Sequence, residues 1–305
     1  MTGSSQHQAE GPPQRGADRR QPVFVGDVQG CSAELDALLS QLENRFGRDG
    51  FKLHLVGDLV NRGPGSLHVL DRIHRLWDQD RAEVVLGNHE LHLLMVAFEL
   101  RKIGERDTFG DVLESSDWKH WVDWLRTRSV AKAGDLYGQP FVMVHASVHP
   151  DWDLDQVVRE SVRIERALGG GDWESTRLLL AQDPAQAEAG STRDVLGRMV
   201  SARSVKMDTW SSSIPNGEAV PWHEAWSKAK HGYGVVYGHW ALQGLHVAHG
   251  LRGLDTGCVH HGRGRPGCLT AWIPTRPKRD RLPLGCFGLP DDSFMKIPAQ
   301  ARYIR

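Results

Sequence analysis

The sequence predicts an α/β fold, and two observations carry that expectation. Three successive apolar runs each close on a glycine and then a side chain able to hold a metal: Phe24-Val25-Gly26-Asp27, Leu53-His-Leu-Val-Gly57-Asp58 and Val84-Val85-Leu86-Gly87-Asn88-His89. Between them lie segments with apolar residues at helical spacing, so strands and helices alternate, which implies parallel pairing and right-handed crossovers. Ligands of α/β proteins gather at the carboxyl ends of such strands.

The elements follow in order. Residues 22–28 read as a buried strand, and 32–46 as a helix carrying Leu35, Leu38, Leu39, Leu42 and Phe46, with Ser32 as N-cap and Gly47 as the stop. A strand over 51–57 precedes a Gly/Pro-punctuated turn and a helix near 66–77. Strand 83–87 feeds a helix from His89 to about Lys102. Residues 105–135 read as a helical cap, with Trp118, Trp121, Trp124 and Leu125 at helical spacing. An apolar strand over 140–146 ends in His145, and residues 153–230 read as helices and long loops. A strand over 233–240 ends in Gly238-His239, and strands near 244–249, 251–256 and 268–273 follow. The expected organisation is a disordered polar leader over 1–20, one domain over 21–275 with helical insertions near 103–135 and 153–230, and a Pro-rich extension over 276–305 that hugs the surface.

Composition narrows the function. A net charge of -1 over 305 residues gives no electrostatic footprint for DNA or an anionic membrane. No apolar run approaches the roughly 18 residues of a membrane span. The first 20 residues lack the apolar core of a secretory signal. Four cysteines, Cys31, Cys258, Cys268 and Cys286, stand without CxxC spacing, which fits reduced thiols and a cytoplasmic protein.

The strand ends bring together Asp27, Gln29, Asp58, Asn88, His89, His145 and His239. So many donors suit two divalent ions about 3.5–4 Å apart bridged by one carboxylate. Asp58, in the middle of the set, is the natural bridge. Such a pair polarises a phosphoryl group and lets hydroxide form at neutral pH. Arg62 can hold phosphate oxygens as a bidentate donor, and His89 is placed to protonate a leaving oxygen.

Gly26-Asp-Val-Gln-Gly30, Gly57-Asp-Leu-Val-Asn-Arg-Gly63, Gly87-Asn-His-Glu90, His145 and Gly238-His239 resemble the signature set of the calcineurin-like metallophosphoesterases. The longer blocks Gly57–Leu67, Leu86–Leu94, His145–Leu154, Gly238–Ala241 and Leu254–Cys258 narrow the resemblance to the symmetrical bis(5'-nucleosyl)-tetraphosphatase family, over roughly residues 22–275. That resemblance implies a central β-sandwich flanked by helices. It implies a first metal on Asp27, Gln29 and Asp58, and a second on Asp58, Asn88, His145 and His239. It implies Arg62 on phosphate, His89 as the acid, and cleavage of diadenosine tetraphosphate into two ADP by a metal-bridging hydroxide.

Two positions depart from the broad pattern. Gln29 stands where imidazole is usual, which makes the first site all oxygen and favours manganese or magnesium, with cobalt as a further candidate, over zinc. Asn61 stands where related protein phosphatases carry Asp, so His89 lacks a charged partner; a nucleoside diphosphate needs less protonation to leave than a serine alkoxide does. For further substrate contacts, Arg203 and Lys206 are the candidates for phosphate, with Asn61 beside Arg62. Trp152, Trp222 and Trp240 can stack on a base or pack in the core, and Trp240 is taken as the substrate contact. Two rival functions stand beside the hydrolase: a protein serine/threonine phosphatase of the same superfamily, and a catalytically weak nucleotide-binding module. Nucleotide-capped RNA is a further candidate substrate, and the sequence leaves the oligomeric state open.

Overall fold

The computed structural model describes residues 18–207, 209–276 and 285–303; most of the expected leader lies outside them. The first strand, β1 (Gln21–Val25), turns Val23 and Val25 into one apolar layer and Phe24 into another. That alternation is the strand period of two, and it separates the two cores of the molecule. β1 pairs in parallel with β2 (Phe51–Leu55), and β2 with β3 (Ala82–Val84). The intervening helices are α1 (Ser32–Phe46) and α2 (Ser66–Asp78), whose buried Leu35, Leu38, Leu42, Val69, Leu70 and Ile73 cover the Val23/Leu53 side of the sheet. α1 starts where the spacing predicts, but Cys31 occupies the N-cap and no side chain caps the helix. Gly47 ends it at φ 78°, a left-handed conformation that suits glycine.

α3 (Asn88–Ala97) is shorter than the expected run to Lys102. The tryptophan stripe forms α5 (Trp118–Arg126) behind a one-turn α4 (Gly110–Leu113). The helical reading of 105–135 fails at its end, where β4 (Ala131–Leu136) pairs antiparallel with β5 (Gln139–Val144). The irregular middle resolves into α6 (Leu154–Gly169), α7 (Trp173–Ala181) and α8 (Thr192–Ser201), each capped by an Asp or Ser side chain on a backbone N–H. It also holds a small antiparallel sheet of β6 (Ser204–Lys206), β7 (Thr209–Ser211) and β8 (Val220–Pro221), followed by α9 (Trp222–Lys228).

β9 (Gly234–Tyr237), β10 (His246–Ala248) and β11 (Leu251–Gly253) join β4 and β5 in a second sheet, in the order β10-β11-β9-β5-β4. β12 (Cys268–Trp272) and β13 (Phe294–Pro298) complete the first, in the order β13-β12-β1-β2-β3. The two five-stranded sheets face each other across Phe24, Val56, Phe141, Met143, Val236, Leu254, Trp272 and Phe287. This is the β-sandwich with helices outside. The Pro-rich tail therefore contributes a strand. Beyond it, the buried Glu34 carboxylate accepts the Gln300 N–H at 2.6 Å and the Tyr303 hydroxyl at 2.7 Å, tying the last described residues to α1.

Candidate active site

Five strands end at one edge of the sandwich. β1 runs into Asp27 and Gln29, β2 into Asp58, β3 into Asn88 and His89, β5 into His145 and β9 into His239. Asp27, Asp58 and His145 are buried, and each can offer a donor atom within 4.8 Å of the others'. The Asn88 Oδ1 lies 3.1 Å from His145 Nε2 and 2.8 Å from His239 Nδ1. His239 donates its backbone N–H to Asp27. Gln29 directs Nε2 to Asp58 Oδ2 at 3.2 Å.

The turns that present these groups are strained. Gln29, Asp58, Asn61, Arg62 and His239 all adopt positive φ, between 47° and 77°. Non-glycine residues pay roughly 1–3 kcal/mol each for such conformations, and they gather at sites where geometry is demanded. Two glycines allow the close approach. A Cβ on Gly87 would stand 2.2 Å from Asp58 Oδ1, and one on Gly238 would stand 2.0 Å from Asp27 Oδ1.

Glu90 holds the turn from below. Its buried carboxylate accepts the backbone N–H groups of Gly87, Asp58, Leu59 and Val60 at 2.7–3.2 Å. It fixes the Asp58 backbone without competing for the site.

The profile of the calcineurin-like phosphoesterases matches residues 22–241. The chain belongs to this family. A symmetrical bis(5'-nucleosyl)-tetraphosphatase from Ralstonia nicotianae is 35% identical over 258 residues, covering 79% of this chain and 87% of the relative. One from Methylococcus capsulatus is 36% identical over 251 residues, covering 78% and 87%. A crystal structure provisionally titled a diadenosine tetraphosphatase aligns with TM-score 0.56 at 22% identity, covering 93% of this chain and 95% of that one. A protein serine/threonine phosphatase from Saccharomyces cerevisiae aligns with TM-score 0.51 at 13% identity, covering 93% and 81%. At those identities both structures speak for the fold alone.

Membership of the calcineurin-like phosphoesterases implies a dimetal site, and the residues at the strand ends fit one. Burial, then the charges of Asp255 and Asp58, push the Asp27 carboxyl well above its usual range. Asp255 is pushed the same way, by burial first. Four carboxyls, Asp27, Asp58, Asp255 and Glu90, are thus crowded out of water, an arrangement that cations relieve. Burial pushes the His145 and His239 imidazoles below their usual range, so both stand neutral with a lone pair to offer. The His145 Nδ1 lies 2.8 Å from the Val56 carbonyl, which turns Nε2 toward the site.

A cavity of about 680 Å³ opens on this edge, and Gln29, Asp58, Arg62, Asn88, His89 and His239 line it. Arg203 and Trp240, two of the candidate substrate contacts, line it too. Lys206 does not: it stands exposed at the end of β6, its ammonium 2.6 Å from Glu218. Trp152 and Trp222 are likewise outside, packed against the core. Arg62 is steadied by the Arg106 carbonyl at 2.8 Å and lies 3.7 Å from Asp107.

Two residues escaped the sequence reading. Asp255 follows β11 as Asp58 follows β2, and it lines the same cavity. Its signal was in plain sight in Leu251-Arg-Gly-Leu-Asp255, a short strand closed by a carboxylate. Asp107, which accepts from Asn61 Nδ2 at 2.9 Å and lies 2.7 Å from His92 Nε2, has no local signal at all.

Proposed function

We propose that this phosphoesterase splits diadenosine tetraphosphate symmetrically into two ADP, with two manganese ions as its natural metals. The observation that carries the substrate is the pair of cavities at the site. A second one, of about 350 Å³, shares Arg62, Asn88, His89 and Ser212 with the first and continues past Met95, Arg193 and Trp210. A phosphate-binding centre with a hollow on each side suits a substrate with two nucleoside arms. The names of the relatives point the same way, and the four free thiols suit a reducing cytoplasm.

Asp27, Gln29 and Asp58 would hold one ion, and Asp58, Asn88, His145 and His239 the other. When bound, the ions supply Lewis-acid polarisation of a phosphoryl oxygen and a nucleophile from water at neutral pH. The rest falls to the chain. Arg62 offers a planar guanidinium to the phosphate oxygens, steadied by the Arg106 carbonyl. Arg203, fixed by the carbonyls of Ser212 and His239 at 2.7 and 3.0 Å, offers a second. His89 keeps a proton for the leaving oxygen. Its imidazole is neutral, pushed below the usual range by burial and by Arg62. A neutral imidazole is a weak acid, adequate for ADP and poor for a serine alkoxide. That balance separates this reading from the phosphoprotein phosphatase, whose fold is shared.

The test is product analysis with manganese present. ADP as sole nucleotide product is the expected result. ATP with AMP would overturn the symmetry. Turnover of a phosphoserine peptide with diadenosine tetraphosphate left intact would overturn the substrate.

A further inference from the structure

The loop after the short turn Cys258–His260 reads His-Gly-Arg-Gly-Arg-Pro over residues 261–266, and none of it is used above. Gly262 and Gly264 sit at φ 81° and 79°, so the chain bends on either side of Arg263. Arg263 and Arg265 both line the large cavity, as does His260. With Arg62 and Arg203 they make four guanidiniums on its wall, while its lining carboxylates, Asp58 and Asp255, lie at the metal edge. Arg62 and Arg203 suffice for a single phosphoryl group. The other two are surplus for a phosphomonoester and matched to a longer anion.

The loop also has a side. His260 is pushed below its usual range by burial and then by the charges of Arg263, Arg265, Arg62 and His89. The two loop arginines line the same cavity as His89, the proposed donor to the leaving oxygen. The phosphates beyond that oxygen belong to the departing nucleotide.

We propose that Arg263 and Arg265 form a clamp for the diphosphate of the leaving nucleotide, and so select a polyphosphate chain over a single phosphate. They are specificity-determining residues that position the substrate. The clamp rests on the proposed function, since it assumes a tetraphosphate in the cavity. A guanidinium pairs with phosphate oxygens through two parallel N–H groups, which an ammonium cannot reproduce.

The experiment compares wild type with Arg263→Ala/Arg265→Ala and Arg263→Lys/Arg265→Lys, each loaded with manganese. Diadenosine tetraphosphate is the substrate and inorganic phosphate the competitive inhibitor. The alanine pair should raise KM about tenfold or more, with kcat falling less than about threefold, and the lysine pair should recover part of the loss. Inhibition by inorganic phosphate, which reaches the metal edge alone, should stay within about twofold, which also reports that the site has folded. A KM unchanged within about twofold overturns the clamp. So does a parallel weakening of phosphate inhibition, which would mean that the loop supports the metal edge instead. Wild-type turnover, measured first, separates the two ideas: an inert wild type overturns the proposed function and the clamp with it.

Discussion

Asn61 faces His89 nitrogen-first, with Nδ2 3.0 Å from His89 Nδ1. The amide cannot turn over, because Asn61 Oδ1 already accepts the N–H groups of Arg62 at 2.8 Å and Thr108 at 3.0 Å. Nδ2 spends its other hydrogen on Asp107. His89 Nδ1 must therefore accept, which leaves the imidazole proton on Nε2 and sets N–H against N–H whenever the ring takes a second proton. Asn61 opposes the imidazolium, where an Asp would support it.

Asn61→Asp alone should disappoint, because the new carboxylate would stand against Asp107 at the 2.9 Å now spanned by a hydrogen bond. The melting temperature should fall by several degrees and recover in Asn61→Asp/Asp107→Asn. In that double variant the imidazolium gains a charged partner, which helps poor leaving groups most. The ratio of kcat/KM for a phosphomonoester over diadenosine tetraphosphate should then rise at least about tenfold; general acid assistance is worth about 10²–10⁴. A flat ratio in a folded double variant would place substrate choice elsewhere.

Asp58 is the group both ions would share. Burial opposes its ionisation, but in acid, where the imidazoles take up protons, the charges of His145 and His89 prevail and hold its carboxyl below the usual range. Asp58→Asn keeps the shape and removes the charge. Activity should fall by about a thousandfold or more at saturating manganese. The metal-stripped variant should melt close to wild type, since one crowded carboxylate has been relieved. The rise in melting temperature on adding manganese should shrink, because ligand stabilisation scales with affinity. Retention of more than about a tenth of the rate would remove Asp58 from the bridge.

The strand-end cluster was legible in the sequence because its logic is local: an apolar strand and then a donor, across a glycine at Asp27, Asp58, Asn88 and His239 and directly at His145. That rule singled out these five residues, and applied once more, past Gly253 and Leu254, it would have found Asp255. What escaped depends on distant partners. β4 carries four exposed residues, Lys132–Asp135, so it shows neither alternation nor an apolar run. β6, β7 and β8 span two or three residues each, too short for any period. β13 is a strand because β12 offers it an edge, and only Ile297 of its five residues is buried. Lys206 looked like Arg203 in sequence, but its carboxylate partner Glu218 lies across the small sheet.

His54 should show itself in the pH dependence of stability. It pairs with Phe24 in the β1–β2 register and stacks on that ring at 4.7 Å, on the inter-sheet face. Burial, aided by the Lys52 charge, pushes its pKa down to about 3. The unfolded chain takes up this proton below about pH 6.5, while the folded chain resists it until about 3. The contribution is thus fully present above the unfolded value and lost as pH falls through that window. His54→Phe keeps the stacking and has no proton to take up. Denaturant melts from pH 7.5 to 4.5 should show wild type losing stability faster than the variant as pH falls. Parallel curves would mean that His54 is protonated in the fold.

Gln29 offers the last test, because its place supports two roles. By resemblance its carbonyl is a ligand of the first ion, yet it directs its amide nitrogen to Asp58 Oδ2 at 3.2 Å. The terminal amide needs a half-turn to present oxygen instead, and its left-handed backbone at φ 47° keeps it at the site in either pose. Gln29→His supplies a softer nitrogen donor and removes that amide. If Gln29 is a ligand, half-maximal activity should come at lower manganese, and zinc should support more turnover than in wild type. Gln29→Ala separates the roles. Losing a ligand should raise the manganese requirement with kcat largely recovered at saturation. Losing only the hydrogen bond to Asp58 should lower kcat at every manganese concentration. Superimposable metal titrations for wild type and Gln29→His, together with a saturation-independent loss in Gln29→Ala, would assign Gln29 to holding Asp58 and leave the first ion to the carboxylates.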